Sequence, residues 1–294
     1  MSGTAESGGA PPPWSELRAR LAARGFRPSR RLGQSFLIDD NMARAIARDA
    51  DLEPGARVLE VGAGLGVLTL SLLEAGADVL AVEIDPRLCE LARERLGERP
   101  RLRWILADAL SGKHRLAPEV ERELPRQEPW HLVSNLPYSI SAPLLAILTD
   151  REHPPRTMTA LVQLEVAERV VAAPGGAAWG PLSVRLQAAY RASLGRRLAP
   201  ALFWPRPAVE SALVRLELSP EAEPLADRRR LGDLAGRLFQ HRRQTLARAL
   251  GDLLADRALA LDLLAAGGID PRSRAEVLTL DQLRTLVRRL PCAE

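Results

Sequence analysis

The sequence predicts a parallel, doubly wound α/β sheet with a small all-helical appendage, and three observations carry that expectation. From Arg57 onward, short apolar runs alternate with amphipathic stretches, as strands and crossover helices do in a parallel sheet. Val209 to Leu218 instead alternates apolar with polar residues, the pattern of an antiparallel edge strand. Beyond a Pro- and Glu-rich break at Ser219 to Pro224, the texture is helical to the end of the chain. The 294 residues, 46% apolar and 27% charged, suffice for one large core plus an appendage, which excludes disordered and fibrous classes.

In chain order, Met1 to Pro13 lacks a basic n-region and an apolar h-region and reads as a disordered tail, not a secretory signal. Residues 14–38 form a basic arm with helical spacing from Trp14 to Arg24, and Asp39-Asp40-Asn41 offers an N-cap to a helix over Met42 to Ala50. The α/β domain, 39–219, has buried strands at Val58 to Val61, Val79 to Val82, Leu102 to Leu106, Leu132 to Ser134 and Thr159 to Gln163. Ser111 to Pro129, which holds Lys113, reads as a solvated excursion before the fourth strand. The helical domain covers 225–294. No apolar run reaches the roughly 18 residues of a membrane span. Cys89 and Cys292 are too few for a disulfide framework or a cysteine zinc site, so a reducing cytoplasm is expected. His114, His131, His153 and His241 lack metal-ligand spacing, so no metal is expected.

The basic charge is uneven. Of 41 basic residues only Lys113 is a lysine, and residues 225–294 hold 13 Arg against 9 acids, which equals the whole net charge of +4. Leu17 to Arg31 adds six Arg. Two basic ends around a neutral middle suggest a polyanion such as nucleic acid; arginines solvated on helix faces are the alternative.

The first strand runs into Glu60-Val-Gly62-Ala-Gly64-Leu-Gly66, three glycines where a strand turns into a helix, a place that needs close backbone approach or a tight turn. Glu83 ends the second strand, where an acid accepts hydrogen bonds from ribose hydroxyls; Asp108 follows the third strand and Asn135 ends the fourth. In an open parallel sheet these positions converge on one crevice. A nicotinamide dehydrogenase is the natural rival, but the turn lacks the Gly-x-Gly-x-x-Gly spacing.

Asn135-Leu136-Pro137-Tyr138 follows the fourth strand. An exocyclic adenine nitrogen is a poor nucleophile because its lone pair is delocalised into the ring. The Asn135 side-chain carbonyl and the Leu136 backbone carbonyl, turned outward by Pro137, can accept hydrogen bonds from that amino group and favour a tetrahedral nitrogen. Tyr138 supplies a face for the base, worth about 1 to 3 kcal/mol by stacking.

These motifs resemble those of class I S-adenosylmethionine methyltransferases of Rossmann-like fold and, over nearly the full length, the KsgA/RsmA family of small-subunit (16S) rRNA adenine N6-dimethyltransferases. Gly33-Gln34-Ser35-Phe36-Leu37 resembles the family's entry to the cofactor pocket, with Ser35 and Leu37 touching the methionine end. Asn135 to Pro143 resembles the catalytic motif, and Gln163 to Val166, Trp179 to Val184 and Phe203-Trp-Pro-Arg-Pro-Ala-Val209 resemble later ones, the last offering Phe203 as a second ring against a flipped adenine. Phe239 to Leu246 and Ile269 to Glu276 resemble its RNA-contacting helical domain. The resemblance implies S-adenosylmethionine as cofactor, held by Gln34, Ser35, Leu37, Glu60, Gly62, Gly64, Gly66, Glu83, Asp108 and Asn135. It also implies dimethylation of two adjacent adenosines in the 3′-terminal hairpin of small-subunit rRNA on an immature 30S subunit, by a monomer acting late in assembly. The family usually has Lys at Leu164, Ala208 and Gln244 and Asn at Ser35, so Arg206, Arg242 and Arg243, the last two expected at the start of a helix, are assigned the RNA anchoring. The alternatives are an assembly or mitochondrial-transcription-type nucleic-acid-binding factor with methylation secondary or lost, and a large-subunit rRNA methyltransferase of the antibiotic-resistance type.

Overall fold

The computed structural model describes residues 14–29, 32–112 and 115–290. The tail, Lys113, His114 and Cys292 lie outside them. A seven-stranded sheet runs in the order β4 (Leu102–Leu106), β3 (Asp78–Glu83), β2 (Arg57–Val61), β5 (Trp130–Asn135), β6 (Thr157–Gln163), β9 (Ser211–Leu218) and β7 (Tyr190–Leu198). The first five are parallel. Two short strands, β1 (Phe36–Leu37) and β8 (Phe203–Trp204), pair antiparallel. Helices α1 (Trp14–Ala23), α2 (Asp40–Asp49), α3 (Val67–Glu74), α4 (Pro86–Leu96), α5 (Pro118–Glu123), α6 (Ser141–Thr149), α7 (Leu164–Val171) and α8 (Pro181–Gln187) accompany the sheets, and α9 (Leu225–Gln240), α10 (Leu246–Leu254), α11 (Arg257–Ala266) and α12 (Leu280–Arg289) end the chain.

Strand order reverses between β2 and β5, because the chain builds outward from β2 to β4 on one side and then returns to lay β5 and β6 on the other. That reversal opens a crevice at the carboxyl ends of the strands. The opening is visible in the ladder: β2 and β5 pair from Arg57–Trp130 to Leu59–Leu132 and then diverge. In the gap, the Ser134 hydroxyl donates to the Val61 carbonyl at 2.6 Å and accepts from the Val61 N–H at 3.3 Å, satisfying backbone groups that the ladder no longer reaches.

Two apolar cores cover the two faces of the sheet. One joins α6 and α7 to Leu59, Leu132 and Val162; the other joins α1, α2 and α3 to Val58, Val133 and Leu161. Opposite assignments for neighbouring residues follow from the period of two in a strand. A third core holds α9 to α12 together and takes in Trp179, Val184 and Ala188. The terminal helices are therefore seated on α8 and its flanks.

Three sequence expectations are corrected. Val209 to Leu218 is no edge strand: β9 starts at Ser211 and lies inside the sheet between β6 and β7. The edge is β7, whose mostly exposed Tyr-Arg-Ala-Ser-Leu-Gly-Arg-Arg-Leu carries too little apolar alternation to announce a strand. Ser111 to Pro129 is no solvated excursion, because Leu116, Ala117, Val120 and Leu124 are buried against the sheet around α5. Arg242 and Arg243 lie in the turn between α9 and α10, not at the start of a helix.

Candidate active site

The crevice beyond β2, β3 and β5 is lined by Gln34, Ser35, Phe36, Gly62, Glu83, Ile84, Asp108, Asn135 and Pro137, among others. A second, smaller hollow continues past Asn135 to Leu37, Glu60, Gly64 and Leu68. Asn135 lines both. It sits at the last position of β5, and Phe36 and Gly62 line both hollows with it.

Close packing, more than ligand approach, explains the glycines. Gly62 has φ +76°, and a Cβ there would lie 2.8 Å from the Pro137 ring. Gly33 has φ +62°, and a Cβ there would lie 2.9 Å from the Ser139 backbone nitrogen. Both contacts fall below any tolerable separation, so the glycine turn and the N-terminal arm press on the Asn135–Tyr138 loop only because these positions carry no side chain.

The arm itself is fixed by rings. Trp14, Phe26, Phe36 and Trp204 form one cluster with centroid separations of 5.3 to 6.5 Å. Arg18 lies over Trp204 and Arg87 over Phe26. In a chain with only 4% aromatic residues, this concentration marks where the arm must be held. From it, the Ser35 carbonyl accepts a hydrogen bond from Asn135 Nδ2 at 3.0 Å. That bond spends one of the amide's two N–H donors on the protein and leaves its oxygen free to accept.

Two carboxyls are buried beside the hollows. Glu60 Oε2 accepts from the Thr69 hydroxyl at 2.6 Å, and burial pushes the Glu60 carboxyl up to about 8, with the Thr69 bond opposing and the Glu83 charge adding to the rise. Glu83 accepts from the backbone N–H groups of Gly64, Ile84 and Asp85 at 2.8 to 2.9 Å. Burial pushes Glu83 up as well, against those three bonds. Asp108 is exposed at the rim, where its Oδ1 accepts from the Leu110 N–H. No lysine or arginine lines either hollow among the described residues. Hollows whose described lining holds acids and no basic side chain disfavour a ligand that carries phosphates there.

Gln34 adds an orphaned donor. Its Oε1 accepts from the Ser29 N–H at 2.7 Å, while its Nε2 is buried without a partner. A buried donor of this kind needs an acceptor, which a bound ligand would supply. The structure thus brings Gln34, Leu37, Glu60, Glu83, Asp108 and Asn135 to one crevice.

Other expected site residues are placed differently. The Ser35 backbone lines the crevice, but its hydroxyl donates to the Pro205 carbonyl at 3.1 Å. The Leu136 side chain is core, and among the described residues none of the hydrogen bonds ends on its carbonyl. Phe203 is 3% exposed and packs among the core residues around α1 to α3, away from the lining of either hollow. Tyr138 is half-buried, with its hydroxyl 2.7 Å from the Ser211 Oγ. Arg206, Arg242 and Arg243 are exposed, unlike Arg185, Arg230 and Arg284, which are ion-paired. Sequence reasoning missed Thr69, the partner of Glu60, and the aromatic cluster, in which Trp204 joins three rings of the N-terminal arm from far along the chain; Ser134 it read only as strand.

A family model described as Ribosomal RNA adenine dimethylase matches residues 25–290. A protein of Leifsonia xyli named Ribosomal RNA small subunit methyltransferase A is 41% identical over 285 residues, covering 94% of this chain and 97% of the relative. One of the same name from Thermobifida fusca is 39% identical, covering 94% of this chain and 95% of its own length. Among solved structures, the 23S rRNA methyltransferase ErmE is similar with a TM-score of 0.63 and 28% identity, over 87% of this chain and 99% of that one. A dimethyladenosine transferase from Plasmodium falciparum shares the fold with a TM-score of 0.69 at 21% identity, over 84% of this chain and 94% of that one.

Proposed function

The chain belongs to the ribosomal RNA adenine dimethylase family, and from that premise we propose that it transfers methyl groups from S-adenosylmethionine to N6 of two adjacent adenosines in the 3′-terminal hairpin of small-subunit rRNA, twice per base, late in subunit assembly. The observation that carries the reading is Asn135. It lines both hollows, and its amide nitrogen donates to the Ser35 carbonyl, which leaves Oδ1 available to accept from a target amino group.

S-adenosylmethionine supplies an electrophilic methyl group on a positive sulfonium. The residues present fit it: Gln34 offers an unpartnered donor, Glu60 and Glu83 offer buried acceptors without basic partners, and Ile84 and Asp108 border the open end. Glu83 keeps lone-pair capacity beyond its three backbone bonds and accepts from ribose hydroxyls. Asn135 Oδ1 and the Leu136 carbonyl accept the two amino protons of adenine, which localises the nitrogen lone pair toward the methyl group. Tyr138 stacks on the base. The proton lost after transfer leaves from an already cationic nitrogen, so no general base of special pKa is needed.

The small-subunit target is favoured over the large-subunit one by the 39% to 41% identity to relatives named for the small subunit, against 28% to ErmE. The exposed arginines Arg206, Arg242 and Arg243 anchor rRNA phosphates, and the protein works on the immature 30S particle in the cytoplasm as a monomer, without a metal. Incubation of the protein with S-adenosylmethionine and unmethylated 30S particles, followed by mass measurement of the 3′-terminal rRNA fragment, tests the reading: four added methyl groups are expected. Methyl-free rRNA despite tight cofactor binding refutes the reading.

A further inference from the structure

The Tyr138 phenol is tethered at both ends. Its backbone belongs to the Asn135–Tyr138 loop, and its hydroxyl lies 2.7 Å from Oγ of Ser211, the first residue of β9. Ser211 is fully buried and locked in the sheet opposite Gln163 and Leu198. Burial pushes the Tyr138 phenol up, and the hydroxyls of Ser211 and Ser35 oppose that rise. The phenol therefore stays neutral and keeps its proton for hydrogen bonding. Because the hydroxyl oxygen lies on the ring's long axis, a bond to it stops the ring swinging about χ1 while leaving rotation about that axis free. A ring held in this way is kept in one place, and turning about its own axis lets its face meet an incoming base. Neither Ser211 nor the phenol oxygen belongs to the lining of the cofactor hollows, so the tether acts on the base side of the site.

We infer that Ser211 is a positioning residue for methyl transfer: it holds the Tyr138 ring by its hydroxyl and so fixes where the ring stands before RNA arrives. The inference rests on Tyr138 stacking on the target adenine. It makes the Tyr138 hydroxyl, and not only its ring, part of what sets the rate, and it links β9 to the loop that carries Asn135.

The test combines Tyr138→Phe, Ser211→Ala and the double variant. Single-turnover methyl transfer to 30S particles should fall about 3- to 30-fold in each single variant, the order of a weakened stacking interaction. S-adenosylmethionine affinity measured by calorimetry should stay within about twofold, and the double variant should be no slower than the slower single one, as for two ends of one interaction. A merely structural role would lower thermal stability without this split between rate and cofactor affinity. The chain has two tyrosines, so carbon-13 labelling of tyrosine gives a second readout: the Tyr138 ring resonances should move in Ser211→Ala while those of Tyr190 stay. A wild-type rate in Ser211→Ala, losses that multiply in the double variant, or unmoved Tyr138 resonances overturn the inference. If the unaltered protein leaves rRNA unmethylated, the functional reading fails, and the ring resonances alone then decide whether the tether exists.

Discussion

The carboxyl edge of the sheet and the terminal helices present charge in opposite ways. At the sheet edge, Glu60 and Glu83 are buried, short of basic partners and bound to one hydroxyl and three backbone N–H groups. In the terminal helices and the turn before α10, Arg242, Arg243 and their neighbours stand in water. Buried groups have one geometry and a large energetic stake in it; solvated arginines have many geometries and little stake in any. The edge is built for a defined small ligand and a single base, whereas the helices suit a polyanion whose phosphates need not be met one by one. Substitutions at the edge should therefore change rates and cofactor affinity steeply, and substitutions in the helices should change RNA affinity gently and in a salt-dependent manner.

The largest effect is expected at Asn135. If Asn135 accepts from the target amino group, Asn135→Ala removes the acceptor needed most in the transition state and also frees the Ser35 carbonyl, and it should slow single-turnover methyl transfer by roughly a hundredfold or more. RNA affinity should remain nearly intact. A wild-type rate in a folded variant would take Asn135 out of the mechanism and erase the main contrast between the two regions.

Next comes Glu83. If Glu83 holds the ribose, Glu83→Ala loses those hydrogen bonds, and calorimetry should find S-adenosylmethionine bound more weakly by about 1.5 to 3 kcal/mol. Three backbone N–H groups lose their acceptor as well, so the unfolding temperature should drop. Glu83→Gln, which keeps one acceptor, should recover part of both. Unchanged affinity in the folded Ala variant contradicts the ribose assignment.

Glu60 sharpens the comparison through pH. Its carboxyl titrates at about 8 in the folded protein, against an ordinary value of 4.5, because burial disfavours the charged form. The folded state thus holds this proton more tightly than the unfolded state. The associated stability is complete below the ordinary value and is lost as pH rises toward 8. Glu83 is shifted in the same direction. The unfolding temperature of the cofactor-free protein should fall by several degrees between about pH 5 and pH 8, and Glu60→Gln should flatten much of that slope. A pH-independent unfolding temperature would mean that Glu60 is charged and partnered in the folded state.

The same contrast explains what could be read from the chain. The parallel strands were legible because burial on both faces leaves unbroken apolar runs, and the glycine turn because three left-handed positions at alternate residues admit little else. The Asn135–Tyr138 loop stood out through residue types that few structural needs would combine. β7 was not legible, since an edge strand with Arg191, Arg196 and Arg197 owes its place to pairing with β9 and not to its own pattern. Nor were the ring cluster, the Ser134 bridge or the Tyr138–Ser211 contact, each of which joins residues more than fifty positions apart. The positions of Arg242 and Arg243 were misjudged by a few residues because a turn and a helix start share their composition.

The smallest effect is expected in the terminal helices, where it also tests the comparison most directly. If Arg242 and Arg243 meet phosphates, replacing both with Ala should weaken binding almost equally for matched and unmatched RNA. The slope of log affinity against log salt should become shallower by about 0.7 to 0.9 for each phosphate that is no longer neutralised. Methyl transfer at saturating RNA should hardly change, because the turn before α10 lies outside the crevice lining. Restoring lysine is informative at one position above the others. Ala208 is exposed, whereas Leu164 packs against the core beneath the sheet and Gln244 has a buried amide oxygen, so Lys at those two would disturb packing as well as add charge. Ala208→Lys should therefore tighten RNA binding and steepen the salt slope by up to about one phosphate's worth, without a cost in stability. RNA titrations across a salt series on the double Ala variant and on Ala208→Lys check both signs. Slopes equal to that of the unaltered protein in both variants would leave the terminal helices as structural support, and the division of labour between edge and helices would have to be abandoned.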